Sequence, residues 1–238
     1  MHPALGLLVS YLAGSIPAAY IAGRLKGVDL RKQGSGNLGA TNVFRVLGAK
    51  IGLLVFAFDL AKGALPVALL PETVRTARPE LWAVAFGVAA IVGHVRPIFL
   101  LWRGGGKGVA TAGGVFLALA PIPMLVSLVV FALVVYATGY VSLGSLTSAI
   151  VLPLGLLLTK GAQSPVFLVS LVIAVFVFWT HRANIGRLRR GEENRFGSRA
   201  APPAAAGEPD AEDDAAADRR VRQRLDERER RREPRAQP

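Results

Sequence analysis

Long apolar runs alternate with short polar, basic stretches along most of this chain. The runs cover residues 1–23, 51–70, 81–102, 109–138, 140–158 and 165–180. Most are close to the roughly 20 residues that a helix needs to cross a bilayer. The run at 109–138 is too long for one straight span, and Pro121 and Pro123 divide it. Pro17 bends the first run. The pattern predicts an all-α, polytopic integral membrane protein with about seven transmembrane helices, or five if the short pieces are re-entrant. Arg24 and Lys26 follow the first run and no Lys or Arg precedes it. That order predicts an uncleaved first span with its N-terminus outside.

Composition agrees with the pattern. The chain is 52% hydrophobic with a mean hydropathy of +0.43. Soluble domains average about 45–50% apolar even with Gly counted in. No cysteine is present, so disulfides, thiol chemistry and Cys metal sites are excluded. The three histidines, His2, His94 and His181, are too scattered for a zinc site. We expect no metal and no cofactor.

Charge adds a direction. Of 28 Lys plus Arg and 16 Asp plus Glu, ten of each lie from Arg199 onward, which leaves eighteen basic against six acidic residues before it. The segment 199–238 is rich in Ala, Pro, Arg and acid, and it reads as a disordered cytoplasmic tail to a membrane domain at 1–198. The polar stretches after the first and seventh runs, and the one from Gly93 to Thr111 that closes the third, hold fourteen of the eighteen basic residues. All three follow odd-numbered runs, so they share one face, and the positive-inside rule makes it cytoplasmic. Such a surplus suits anionic lipid or an anionic substrate better than nucleic acid.

Those three stretches also carry the candidate chemistry. Residues 35–42 read SGNLGATN, with Arg45 one helical turn on. Ser35, Thr41 and Asn42 offer small hydrogen-bonding groups. Residues 103–111 read RGGGKGVAT. Gly104, Gly105, Gly106 and Gly108 let backbone N–H groups approach an anion, and Lys107 adds a mobile charge. This is not a P-loop: Leu101 stands where that pattern needs its first Gly, and Gly108 where it needs Ser or Thr. After the last run come His181, Asn184, four arginines, Glu192 and Glu193. Plainer readings exist for each stretch: a flexible turn, an Asx turn, a basic stop after a final span. Their convergence on one face favours a phosphate site. Within the runs, Asp59 and Lys62 stand at i, i+3, either as a structural ion pair or as substrate contacts. His94, beside Arg96 and Pro97, either touches substrate or holds helices together.

Taken together, Ser35 to Asn42 with Arg45, Gly93-His94 through Pro97 to Arg103-Gly-Gly-Gly-Lys107 and on to Thr111, and His181-Arg-Ala-Asn184-Ile through Arg187 to Gly191-Glu192 closely resemble three signature motifs of one family. It is the bacterial integral-membrane glycerol-3-phosphate acyltransferases that take acyl-phosphate as donor (PlsY). Asp59 and Lys62-Gly63 are similar to that family too. The resemblance spans about residues 4–197. It implies transfer of a fatty acyl group to the sn-1 hydroxyl of glycerol 3-phosphate, giving lysophosphatidic acid and phosphate in phospholipid biosynthesis. It implies that Ser35, Arg45, His181 and Asn184 are needed for activity and that the glycine-rich motif serves glycerol 3-phosphate. Lys107 is expected to join these as a catalytic residue; Thr41, Asn42, Gly104, Gly105, Gly106 and Gly108 become the expected phosphate contacts, and Asp59, Lys62, His94 and Glu192 the supporting residues. The acyl tail is expected in a groove between spans. The implied setting is the bacterial inner membrane, with the site facing the cytoplasm. The implied form is a monomer or weak oligomer near the enzyme that makes acyl-phosphate. An anion transporter is the main rival and predicts inverted repeats between the halves, which the sequence lacks. A structural membrane subunit would need no polar cluster.

Overall fold

The computed structural model describes residues 1–196. The expected tail at 199–238 lies outside the described residues. The first apolar run is two helices, α1 (Pro3–Ser15) and α2 (Ala18–Leu25), parted at Ile16 and Pro17. Proline lacks an N–H and pushes the residue before it out of the helical region, and Ile16 is extended. Then come α3 (Ala40–Leu47), α4 (Ala49–Leu69), α5 (Pro79–Val95), α6 (Val109–Leu119), α7 (Pro121–Thr138), α8 (Val141–Lys160), α9 (Pro165–Thr180) and α10 (Arg182–Arg189). Proline opens α5, α7 and α9, where its missing N–H costs no hydrogen bond.

Each of the seven expected apolar segments is helical. Five stretches are long and apolar enough to cross a membrane: Pro3–Leu25, Ala49–Thr73, Pro79–Leu100, Pro121–Thr138 and Val141–Lys160. The pair Pro165–Thr180 and Arg182–Arg189, bent by 58°, makes a sixth if taken as one. The remaining segment, α6, has 11 residues. At 1.5 Å per residue that is ~16 Å, about half the thickness of a hydrocarbon core.

Lipid and protein surfaces are divided as this setting demands. Leu158, Val172, Val175 and Tyr136 point outward and are exposed, whereas Ser10, Ser15, Ser127 and Ser170 are buried. Small residues let the helices close on one another, which is how spans associate when the surroundings are as apolar as leucine. Two contacts are reciprocal. A Cβ on Gly14 would collide with the Ala90 carbonyl, and one on Gly93 with the Tyr11 carbonyl, so α1 and α5 touch backbone to backbone. In the same way Gly63 meets the Thr111 carbonyl and Gly114 the Leu60 carbonyl, which locks α4 to α6.

Between these pairs lies a buried ion pair. Lys62 Nζ is 2.7 Å from Asp59 Oδ1 and donates to the Ile16 carbonyl at 2.9 Å. The broken joint between α1 and α2 thus gains a donor for an oxygen that helix cannot satisfy. His94 Nδ1 stands 3.5 Å from the same Asp59 oxygen. All three side chains are buried.

Breaking the pair from one side leaves a buried charge alone. We expect Lys62→Met to cost about 3–5 kcal/mol, and the double change Asp59→Asn with Lys62→Met to cost less. Thermal unfolding in detergent checks this. A double variant no more stable than the single would remove the pairing as the cause.

Candidate functional site

The loop before α3 is folded by one amide. Asn42 Oδ1 accepts from the Ser35 N–H at 2.8 Å, and Asn42 Nδ2 donates to the Leu30 and Gln33 carbonyls, both at 3.1 Å. Asn42 is buried, and its donors and acceptor are taken up inside the loop. The phosphate contact expected there gives way to a loop-holding role. Its consequence is that Ser35 stands exposed on the outside, with Thr41 half-buried beside the amide.

The glycine-rich stretch is a tightly seated loop. Leu101 and Trp102 take left-handed backbone angles, and so do Gly104 and Gly108. Trp102 Nε1 donates to the Tyr11 hydroxyl at 2.8 Å, and that hydroxyl donates to the Arg96 carbonyl at 2.9 Å. A Cβ on Gly105 would strike the Val95 carbonyl. One on Gly106 would strike His94 Nε2 and meet the Leu38 carbonyl. These glycines are therefore required by packing, whatever they bind. They also press the loop against the first motif at Leu38 and hold His94 behind it. Gly108 ends the loop and caps α6.

The third stretch begins where α9 bends into α10. His181 Nδ1 lies 2.8 Å from the Val177 carbonyl. A carbonyl only accepts, so Nδ1 carries the proton and Nε2 is left as an acceptor. Lys107 Nζ donates to Asn184 Oδ1. Asn184 Nδ2 donates to Glu193 Oε1 at 2.6 Å, Ser142 Oγ to the same oxygen at 2.8 Å, and Arg187 Nε to Oε2 at 2.7 Å. Arg45 Nη2 donates to the Asn194 carbonyl at 3.3 Å, while its Nε is buried without a partner. Residues 192–196 form a strap over this cluster. The strap is fastened by the Phe196 N–H to the Gly139 carbonyl at 2.6 Å and by an edge-on Phe44–Phe196 contact.

All three motifs thus meet. Leu38 touches the glycine loop, Lys107 reaches Asn184, and Arg45 reaches the strap. The electrostatics follow. Burial drops Lys107 to about 8; Glu193 opposes that, and Arg187 and Arg45 add to it. Burial alone would raise Glu193, but the hydrogen bonds from Asn184, Ser142 and Arg187 outweigh it and hold the carboxyl below its usual range. Arg45 is lowered by burial, and Glu193 pulls the other way; an arginine remains charged through any such shift.

One member of the cluster, Ser142, has no signal in its local sequence, and the sequence does not tell Glu193 from Glu192. Ser142 sits on α8, far from any motif. Glu193 is the buried acid, whereas Glu192, the expected support, forms an outward pair with Arg190 at 2.7 Å and is more than half exposed. Arg187 reads in sequence as part of a basic stop, and only the fold pairs it with Glu193. Among the described residues no three of His, Asp and Glu gather as a metal site.

An apolar cleft runs between α6, α7, α8 and α9, open along part of its length, and its lining carries no charged side chain. Val109 and Val177 stand at its upper end, next to Lys107–Gly108 and His181. Phe116, Met124, Leu152 and Pro153 line it further down.

These features define a class: an integral membrane protein that gathers Arg45, Lys107 and Arg187 around a protected polar site, with an apolar cleft beside it. The family model described as glycerol-3-phosphate acyltransferase matches residues 4–191. The glycerol-3-phosphate acyltransferase of Trichlorobacter lovleyi is 46% identical over 188 residues, covering 79% of this chain and 94% of that protein. The crystal structure of PlsY (YgiH), an integral membrane glycerol 3-phosphate acyltransferase, in its glycerol 3-phosphate form superposes with a TM-score of 0.76. It is 39% identical and covers 83% of this chain and 97% of that one. Its lysophosphatidic acid form gives 0.74 at 38% identity over the same shares. The chain belongs to the glycerol-3-phosphate acyltransferase family and is an acyltransferase enzyme.

Glu193 supplies the negative charge that helps Lys107 keep its proton. We expect Glu193→Gln to move Lys107 below about 8, so that it reacts with an amine-directed reagent at lower pH. A reaction profile unchanged in a folded variant would remove Glu193 as the counter-charge.

Proposed function

We propose that the protein transfers a fatty acyl group from acyl-phosphate to the sn-1 hydroxyl of glycerol 3-phosphate, at the cytoplasmic face of a bacterial inner membrane. The products are lysophosphatidic acid and phosphate. The reading rests chiefly on one observation: the network Lys107–Asn184–Glu193, with Arg45 and Arg187 around it, joins three remote motifs at one polar centre. Both substrates carry phosphate, and Arg and Lys held in a partly dry site attract it far more strongly than in water. The acyl tail lies in the cleft between α6 and α9, next to the charged end. The basic polar stretches support an N-terminus outside and a site inside.

The donor is already activated, because phosphate is a good leaving group. Catalysis then needs alignment and charge stabilisation more than a strong base. The hydroxyl oxygen bonds to the acyl carbon, and the bond from that carbon to the phosphate oxygen breaks. The hydroxyl proton passes to His181 Nε2 and then to the departing phosphate, or to that phosphate directly. Lys107 steadies the charge, and Asn184 holds Lys107 in place. Ser35, exposed on its loop, hydrogen-bonds substrate rather than carrying the acyl group. One cluster, built by a single chain, serves both phosphates, which suits a monomer or weak oligomer.

Purified protein with acyl-phosphate and glycerol 3-phosphate should release phosphate and form lysophosphatidic acid. No release from either substrate combination would end this reading. Lys107→Ala should lower kcat by about 10²–10³ while the protein stays folded. Lys107 is charged below its pKa of about 8. The wild-type kcat/KM for glycerol 3-phosphate should therefore fall as pH rises through that value. Lys107→Arg, charged throughout, should lose that limb. Rapid quenching should trap no acyl group on Ser35; an acyl-Ser35 adduct would refute direct attack.

A further inference from the structure

Gly113 and Gly114 are neighbours on α6 with opposite surroundings. A Cβ on Gly114 would collide with the Leu60 carbonyl of α4, so Gly114 is fixed by helix packing. A Cβ on Gly113 would meet only Met124 Cε, at the ordinary contact distance of 3.5 Å. Gly113 lines the apolar cleft. Packing does not demand a glycine there, and its missing side chain leaves open space. The walls nearby are also small, with Ala112, Ala149 and Ala174.

We propose that Gly113 determines how long an acyl chain the enzyme accepts, by leaving a passage from the charged end of the cleft to its far end. The proposal rests on the acyl-transfer reading above and deepens it. The occupant is the hydrocarbon tail of the acyl donor. Two lining residues stand next to the reacting groups: Val109 follows Lys107 and Gly108 in the chain, and the Val177 carbonyl holds His181. The cleft then runs on without a charge in its lining.

Helix geometry places the constriction. Gly113 lies four residues beyond Val109, ~6 Å along α6. On α8, Ser142 marks the polar end through its bond to Glu193. Ser148 follows ~9 Å below and Leu152 ~15 Å below. A larger side chain at position 113 would narrow the cleft in its upper half and shut off the part beyond. Short acyl chains would fit above the block and long ones would not. The phosphate end would be untouched, since Gly113 contacts none of Arg45, Lys107, Asn184 or Glu193.

The test uses the full chain in detergent or lipid, with octanoyl phosphate and palmitoyl phosphate as donors and phosphate release as the readout. For Gly113→Leu, kcat/KM for palmitoyl phosphate should fall about tenfold or more relative to octanoyl phosphate. The KM for glycerol 3-phosphate, measured with the octanoyl donor, should stay unchanged. Gly113→Val should fall between, and adding Met124→Ala to Gly113→Leu should restore part of the long-chain activity. Equal losses on both donors, or an unchanged ratio across Gly113→Ala, Gly113→Val and whichever larger variant folds, would overturn the proposal. Wild-type protein inactive on both donors would instead overturn the acyl-transfer reading itself, a result visible before any variant is made.

Discussion

Three cationic side chains share a small, half-dry space because one buried carboxylate stands among them. Arg45, Lys107 and Arg187 repel one another, and burial strips each of the water that would soften the repulsion. Glu193 offsets this with charge and geometry together. Its two oxygens take hydrogen bonds from Ser142, Asn184 and Arg187, which hold the carboxyl below its usual range where burial alone would raise it. It also decides which way the Asn184 amide points. With Nδ2 turned to Glu193, Oδ1 must face Lys107, and the lysine is held at the centre. A site arranged this way has its charges in place before any phosphate arrives, which is the kind of preorganisation that makes electrostatic catalysis effective.

The helical frame serves that arrangement by close approach. In lipid there is little hydrophobic gain from bringing two helices together, so packing must come from small residues and hydrogen bonds. The reciprocal glycines of α1 with α5 and of α4 with α6 bring backbones into contact. These contacts fix α5 and α6, the two helices that carry the glycine loop between them. The Asp59–Lys62 pair ties the same region to the break at Ile16, and His94 extends it to Gly106. The ion pair is thus part of the frame behind the loop. The loop in turn owes its shape to the absence of side chains at Gly105 and Gly106, which lets it lie against α5 and against Leu38.

A charged end and an apolar cleft adjoin because α6 starts at the loop and α9 ends at His181. Both substrates of the proposed reaction have a phosphate, but only the donor brings a long tail. A site that holds anions at one end and hydrocarbon at the other suits a reaction between a polar acceptor and a lipid-soluble donor. The cleft wall mixes large apolar residues with Gly, Ala and Ser, and Gly113 is the place where a single substitution would alter its depth without touching the charged end.

The membrane-grade runs, the proline breaks at Pro17 and Pro121, the all-helical class and the three polar motifs were all legible in the sequence. Each is a local property: run length sets the helices, and proline breaks them wherever it stands. The motifs were legible because they pack unusual residues into a few positions, and the family follows from them. Other features arose only from contacts across the chain. Asn42 belongs to the loop because its amide folds back on Leu30, Gln33 and Ser35. Glu193, and not Glu192, is buried because the strap is fastened at Gly139 and Phe44 and turns one acid in and the other out. Ser142 joins the site from a helix with no motif at all. Gly113 and Gly114 are identical in sequence and differ only in what stands opposite them. Sequence determined which chemistry was present; the tertiary structure decided which side chains share it, because burial and pairing depend on neighbours that are distant along the chain.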